Sequence, residues 1–274
     1  TAARRCWKPS SRPGSKRRSK PILVDTHCHL DAAEFDGDRE TVAARALAAG
    51  VTTVVVPAVE RANFGAVASV CRDHPGCRPA YGIHPMYVTR AREEDLEALR
   101  QLLQRESPVA IGETGLDFFI PDWDEALQEF YFVEQLKIAR DLELPVILHV
   151  RRAVDAILKH LRRIRVPGGI AHAFNGSRQQ AEAFIGLGFK LGFGGAMTHP
   201  RATRIRELAA TLPLESIVLE TDAPDIPPAW LNGGRNEPGE LPRIAEVLAE
   251  LRRLPPAAIA EATTANADAV LHLQ

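Results

Sequence analysis

Eight short apolar runs, each followed by a stretch of helical period, constrain this chain more than any other feature. The runs are ILVDTH (22–27), TTVVVP (52–57), PAYGI (79–83), VAIGE (109–113), PVILH (145–149), GIAH (169–172), FKLGF (189–193) and SIVLET (216–221). Their length and β-branched content read as strands. DRETVAARALAAG (38–50) is one of the helical stretches between them, and its last glycine suits a left-handed position after a helix. WDEALQEFYFVEQLKIARDLEL (123–144) is the longest.

The runs are continuously apolar rather than alternating, as expected of parallel strands covered on both faces. Eight such units in about 250 residues predict a closed (β/α)8 TIM-type barrel. The competing fold is an open, doubly wound sheet. No GxGxxG follows the first run, and GFGG (192–195) lacks the lysine of a phosphate loop. No repeat or low-complexity linker divides residues 21–274, which read as one domain.

Charge and cysteine content exclude several classes. No apolar run approaches the roughly 20 residues that span a bilayer, so no membrane role is expected. The four cysteines (Cys6, Cys28, Cys71, Cys77) form neither a CxxC pair nor a disulfide framework, which fits a reducing cytoplasm. Residues 1–20 carry eight basic and no acidic side chains and are expected to be a disordered tail. The remainder holds 26 basic against 35 acidic residues, net −9, so an anionic substrate must be bound by a local site.

Unusual polar residues collect where the strands end. His27 and His29 follow the first strand, Glu113 closes the fourth, His149 the fifth and His172 the sixth, and Asp222 follows the eighth. The C-terminal ends of barrel strands form one mouth, and that face carries the active site. His27 and His29, two residues apart, share a face while Cys28 points away. Any one of these residues alone reads as a hydrogen-bonded rim residue, a cap or a salt bridge. Six of them at five strand ends instead read as ligands. They are too many for one catalytic ion with an open position and fit two ions bridged by a carboxylate. Imidazole and carboxylate together accept Zn2+, Mn2+ or Mg2+.

VDTHCHLD, GIHP (82–85), IGETGLDF, LHVR (148–151), HAFNG and ETDAPDIPP resemble, in order, the motifs of the TatD family of metal-dependent deoxyribonucleases within the amidohydrolase-like barrels. The resemblance spans about residues 21 to 272. It implies a TIM-type barrel, a divalent metal centre and phosphodiester hydrolysis, with 3′–5′ exonuclease action on DNA. By the same resemblance His27 and His29 hold one ion, His149 and His172 the other, Glu113 bridges, and Asp222 is both a ligand and the proton acceptor from the attacking water. The segment ETDAPDIPPAWLNGGRNEP looks most like the YjjV-type branch, whose members are often described only as metal-dependent hydrolases. HAFNG carries Ala173 and Asn175 where many members have Cys and Thr, a change beside the substrate surface.

Further residues face the same mouth. His84 is expected apart from the six ligands, binding a phosphate or donating a proton; the alternative is an anchor for the Pro85 turn. Arg151, two beyond His149, is positioned to clamp a phosphate, whereas Arg152 is expected to face solvent. Asp25 either orients an imidazole or ties down backbone amides. Glu220 reads as a buried partner rather than a ligand. Trp230 could stack on a base but reads first as local packing. His199 is a weak substrate candidate, and His74, His160 and His272 receive no role. The expected function is hydrolysis of DNA phosphodiesters, from single strands or 3′ ends, by a metal-activated water. The alternatives are a hydrolase of a small amide, lactone or phosphoester, and a metal-binding scaffold without catalysis.

Overall fold

A computed structural model describes residues 22–121 and 123–273; the basic segment 1–20 lies outside them. Eight strands appear: β1 (Leu23–Asp25), β2 (Val51–Pro57), β3 (Cys77–Tyr81), β4 (Ala110–Asp117), β5 (Val146–Arg151), β6 (Gly169–Ala171), β7 (Phe189–Phe193) and β8 (Ile217–Leu219). The helices are α1 (Arg39–Ala49), α2 (Phe64–Asp73), α3 (Glu93–Glu106), α4 (Glu125–Asp141), α5 (Val154–Arg163), α6 (Arg178–Gly186), α7 (Thr203–Thr211), α8 (Leu241–Arg252) and α9 (Pro256–Leu271). Strand neighbours follow chain order from β1 to β8, and every pairing is parallel. The sheet curls until its first and last strands meet. Thr26 N–H donates to Leu219 O at 3.1 Å, Asp222 N–H to His27 O at 2.8 Å and His29 N–H to Ala223 O at 2.8 Å. The result is the expected (β/α)8 TIM-type barrel, nearly closed.

Two apolar layers hold it together. Inside the barrel, Val24, Val55, Ala80, Ala110, Ile147, Ile170 and Val218 come from every strand but β7, and they pack against Ala267, Val270 and Leu271 of α9. Asn266 anchors that helix to the start of β8, donating to Leu214 O at 2.8 Å and Ile217 O at 2.7 Å. α9 therefore plugs the N-terminal end, and the opposite mouth is left for chemistry. The larger layer lies between strands and helices, with Phe35, Leu99, Phe132, Leu136, Phe184 and Leu248 buried in it. Each such side chain contributes about 1.5–3 kcal/mol on leaving water. Among the described residues no helix is long and apolar enough to cross a membrane.

Strand limits depart from expectation in one informative place. β4 does not stop at Glu113 but runs on, pairing Thr114 with Leu148, Gly115 with His149, Leu116 with Val150 and Asp117 with Arg151. The register shifts between Ile111 and Thr114, and Gly115 continues the strand at φ 150°, a conformation closed to side chains with a Cβ. Glu113 and His149 thus lie within their strands rather than closing them. Gly50 behaves as read, following α1 with φ 103°.

Candidate metal centre

The barrel seam places the first and last site residues. Asp25 is fully buried, and its Oδ1 accepts from His27 N at 3.2 Å and Thr221 N at 3.0 Å while Oδ2 accepts from Thr221 Oγ1 at 2.6 Å. Of its two readings, the carboxylate tied to backbone amides is the one observed. Asn236, which the sequence did not single out, adds a second tie by donating to Thr221 O at 2.8 Å and Asp225 O at 2.9 Å. These bonds fix the backbone that carries His27 and Asp222. Cys28 is buried in the core between the two histidines, and burial pushes its thiol well above the ordinary range. It packs and takes no part in the site.

Two glutamines of α4 set the ends of β3 and β4. Seven residues apart, they share a helix face. The Gln135 amide pairs with the peptide groups of Ile83, accepting from its N–H at 2.7 Å and donating to its O at 3.0 Å. Gln128 does the same for Asp117, at 2.8 and 3.0 Å. Buried amides at a strand end need such partners. The side chains of α4 thereby position His84 and Asp117.

Glu113 stands at the centre of the mouth, 2% exposed. Its Oε2 lies 3.1 Å from His27 Nε2 and 3.5 Å from His29 Nε2. Its Oε1 lies 2.8 Å from His149 Nδ1, 3.2 Å from His172 Nε2 and 3.3 Å from His84 Nε2. One oxygen faces the first histidine pair and the other faces the second. Asp222 Oδ1 completes the near side, 3.5 Å from His27 Nε2 and 3.8 Å from His29 Nε2. The six sequence-derived ligand candidates are all brought together.

The donor set fits a divalent cation. Ligand atoms of His27, His29 and Asp222 lie within 4.8 Å of one another, as do those of His27, Glu113 and His172, and those of His84, Glu113 and His149. The Nε2 atoms of His27 and His29 face each other at 3.3 Å, a gap that one N–H at most can fill. Charge is unevenly shared in this cluster. Burial would raise Glu113, but the imidazoles of His84, His27 and His172 hold it well below the usual carboxylate range. Burial and His172 press His27 down to about 3, and burial and His149 press His84 down to about 4. His29 rises to about 9 because Glu113 and Asp222 outweigh its burial. Burial lifts Asp222 to about 6 against the pull of His172 and His29. A cation entering this set would displace the protons it holds.

The rim corrects one expectation and extends others. His84 is not apart from the ligand candidates: it is buried, and its Nε2 meets Glu113. Its Nδ1 accepts from Met86 N at 3.1 Å, so it also anchors the Pro85 turn. Asp117, missed in the sequence, is fully buried with Oδ2 3.0 Å from His149 Nε2. Arg151 lies at the rim, its Nη1 4.0 Å from the same Asp117 oxygen. Glu220 is the buried partner expected, 3.6 Å from His172 Nδ1 and accepting from Ala173 N at 2.5 Å. Trp230 is packed locally, donating to Glu240 at 2.7 Å under the Arg243 guanidinium. His199 Nε2 lies 3.1 Å from Pro227 O, away from the cluster of imidazoles.

With this geometry in place, comparison with known proteins becomes decisive. A family model described as TatD related DNase matches residues 24–272. The chain belongs to the TatD family of metal-dependent hydrolases. It is 44% identical over 247 residues to the uncharacterized metal-dependent hydrolase YjjV of Escherichia coli K12, covering 89% of this chain and 95% of that one. It is 35% identical over 235 residues to the 3′-5′ ssDNA/RNA exonuclease TatD of a Pantoea species, covering 83% and 90%. The crystal structure of the E. coli YjjV protein superposes with a TM-score of 0.89 at 43% identity, covering 92% of this chain and 98% of that one.

Proposed function

We propose that this TatD-family hydrolase cleaves nucleic-acid phosphodiesters, as a deoxyribonuclease of the 3′–5′ exonuclease type that uses two divalent ions. One observation carries the reading: each oxygen of the buried Glu113 carboxylate faces its own group of imidazoles, the arrangement expected of a bridging ligand. Relatives named 3′-5′ ssDNA/RNA exonuclease support the choice of a nucleic-acid substrate. His27 and His29 would hold one ion, His149 and His172 the other, with Asp222 beside the first. Zn2+, Mn2+ and Mg2+ all suit this set of nitrogen and oxygen donors. When bound, the ions supply an activated water and neutralise charge developing on the phosphate.

The chain's own groups do the rest. Asp222 sits at the mouth with its side chain 14% exposed, where it can take the proton of the attacking water. Arg151 would pair with a phosphate oxygen at the rim. Asp117 and Glu220 would hold the rings of His149 and His172 in orientation, and Asp25 the backbone that carries His27 and Asp222. The free cysteines Cys28, Cys71 and Cys77 fit the reducing cytoplasm expected for such an enzyme. The test is a parallel assay on a labelled single-stranded oligonucleotide, a lactone, a dipeptide and p-nitrophenyl phosphate. Chelator-sensitive cleavage of the oligonucleotide, restored by divalent metal, is expected. Turnover of the lactone or dipeptide with the oligonucleotide untouched would overturn the reading.

A further inference from the structure

We propose that the loops after β4 and β5 form a base-stacking subsite for single-stranded nucleic acid, built from Phe119, Arg151 and Arg152. The subsite rests on the phosphodiesterase reading above and extends it beyond the metal centre. Phe119 is 45% exposed beside the mouth, an unusual place for a phenyl ring. The Arg151 guanidinium carbon lies 4.0 Å and that of Arg152 4.4 Å from the ring centroid. The loop is held in this arrangement from several sides. Phe119 N–H donates to Asp117 Oδ1 at 2.8 Å, and Phe118 N–H donates to Arg151 O at 2.9 Å. Behind it, Phe118 stacks on Trp123 with centroids 4.2 Å apart.

Charge and continuity identify the occupant. Among the described residues Arg152 makes no ion pair, and Arg151 has only Asp117 at 4.0 Å. Two underused guanidiniums on a net-acidic body mark a local site for anions. Phe119 backs the two guanidiniums that lie over its ring, and this aromatic–cation platform is where an unpaired base stacks while the charges suit its flanking phosphates. A duplex covers its base faces by its own stacking, so a single strand is the partner this surface fits. The surface joins the metal centre directly: Asp117 touches Arg151 on one side and His149, at 3.0 Å, on the other. A cavity of about 360 Å³ opens beyond Arg152, walled by Phe118, Val154 and Gln180, with Asp155 held by Gln180 at 2.9 Å. It adjoins Arg152 and leaves room there for a neighbouring nucleotide.

The test is equilibrium binding by fluorescence anisotropy, with the full chain kept metal-free by chelator so that no cleavage occurs. The probes are a labelled oligothymidylate and an abasic sugar-phosphate oligomer of equal length. Phe119→Ala should weaken oligothymidylate binding roughly 5- to 100-fold while leaving the abasic oligomer unaffected. Arg152→Ala should weaken both probes and flatten the salt dependence. Phe119→Trp should restore binding, which separates stacking from a folding defect. Absence of binding by the wild-type chain, or binding that Phe119→Ala leaves unchanged, overturns the subsite. Because cleavage is not the readout, a chain that binds through Phe119 yet hydrolyses no nucleic acid would defeat the enzymatic reading alone.

Discussion

Replacing Gly115 by alanine tests whether the run-on of β4 builds the site. An ideal Cβ at this position would lie 2.0 Å from His149 O, 2.9 Å from His149 C and 3.0 Å from His149 N, all backbone atoms of the paired strand. Contacts under 3.0 Å are not tolerated, so the strands must part by about 1 Å or Gly115 must abandon φ 150°. Overpacking costs about 1–3 kcal/mol. A Cβ forced into such a backbone region costs about 1–3 kcal/mol more. At roughly 2–4 °C per kcal/mol for a chain of this size, the melting midpoint should fall by about 10 °C. His149 and Asp117 move with the strands, and a 1 Å misplacement of reacting groups costs about 100-fold in rate. Calorimetry and kcat/KM on a labelled oligonucleotide measure the two effects. Gly65→Ala is the control: it lies exposed in α2 with nothing within 4 Å of its Cβ, so the midpoint should rise slightly. A Gly115→Ala enzyme with unchanged midpoint and activity would refute the reasoning.

Three further outcomes follow from the site and its supports. Asp222→Asn should keep its metal, by elemental analysis, while kcat drops about 10²- to 10⁴-fold; unchanged turnover would remove Asp222 from proton transfer. Glu220→Gln loses the charge 3.6 Å from His172 Nδ1, and metal affinity by competitive chelation should weaken about 10- to 100-fold. The third outcome concerns pH. Burial disfavours the Asp95 anion, but the Arg61 guanidinium at 2.7 Å and the Arg92 N–H at 3.0 Å outweigh it and hold the carboxyl below its ordinary value. A depressed folded pKa contributes stability above the unfolded pKa and loses it as pH falls through the folded one. Thermal melts should therefore show Asp95→Asn less stable than wild type at neutral pH, with the gap closing below about pH 4.

Periodicity alone carried the barrel, because continuous apolar runs such as VILHV and helical stretches such as 123–144 differ in length and pattern. The six ligand candidates were legible for a related reason: each is a polar side chain that interrupts or directly follows an apolar run, where hydrocarbon is otherwise the rule. What escaped was non-local. Asp117 looked like a loop residue because IGETGLD breaks the apolar run at Glu113, and nothing in the sequence reveals that Gly115 continues the strand at φ 150°. His84 was set apart because its contact with Glu113 at 3.3 Å depends on β3 lying beside β4, with Gln135 fixing the turn from α4. Phe119 drew no reading because its two arginines, Arg151 at the end of β5 and Arg152 just after it, are more than thirty residues away in the chain.

Titrating metal back into the chelated chain, while following oligonucleotide cleavage, tests the central claim most directly. The chelated chain should be inactive, and activity should grow with Mn2+ and saturate at two ions per chain, with Glu113→Gln failing to saturate. Full cleavage by the chelated chain, or a Glu113→Gln variant that binds two ions and turns over normally, would contradict it.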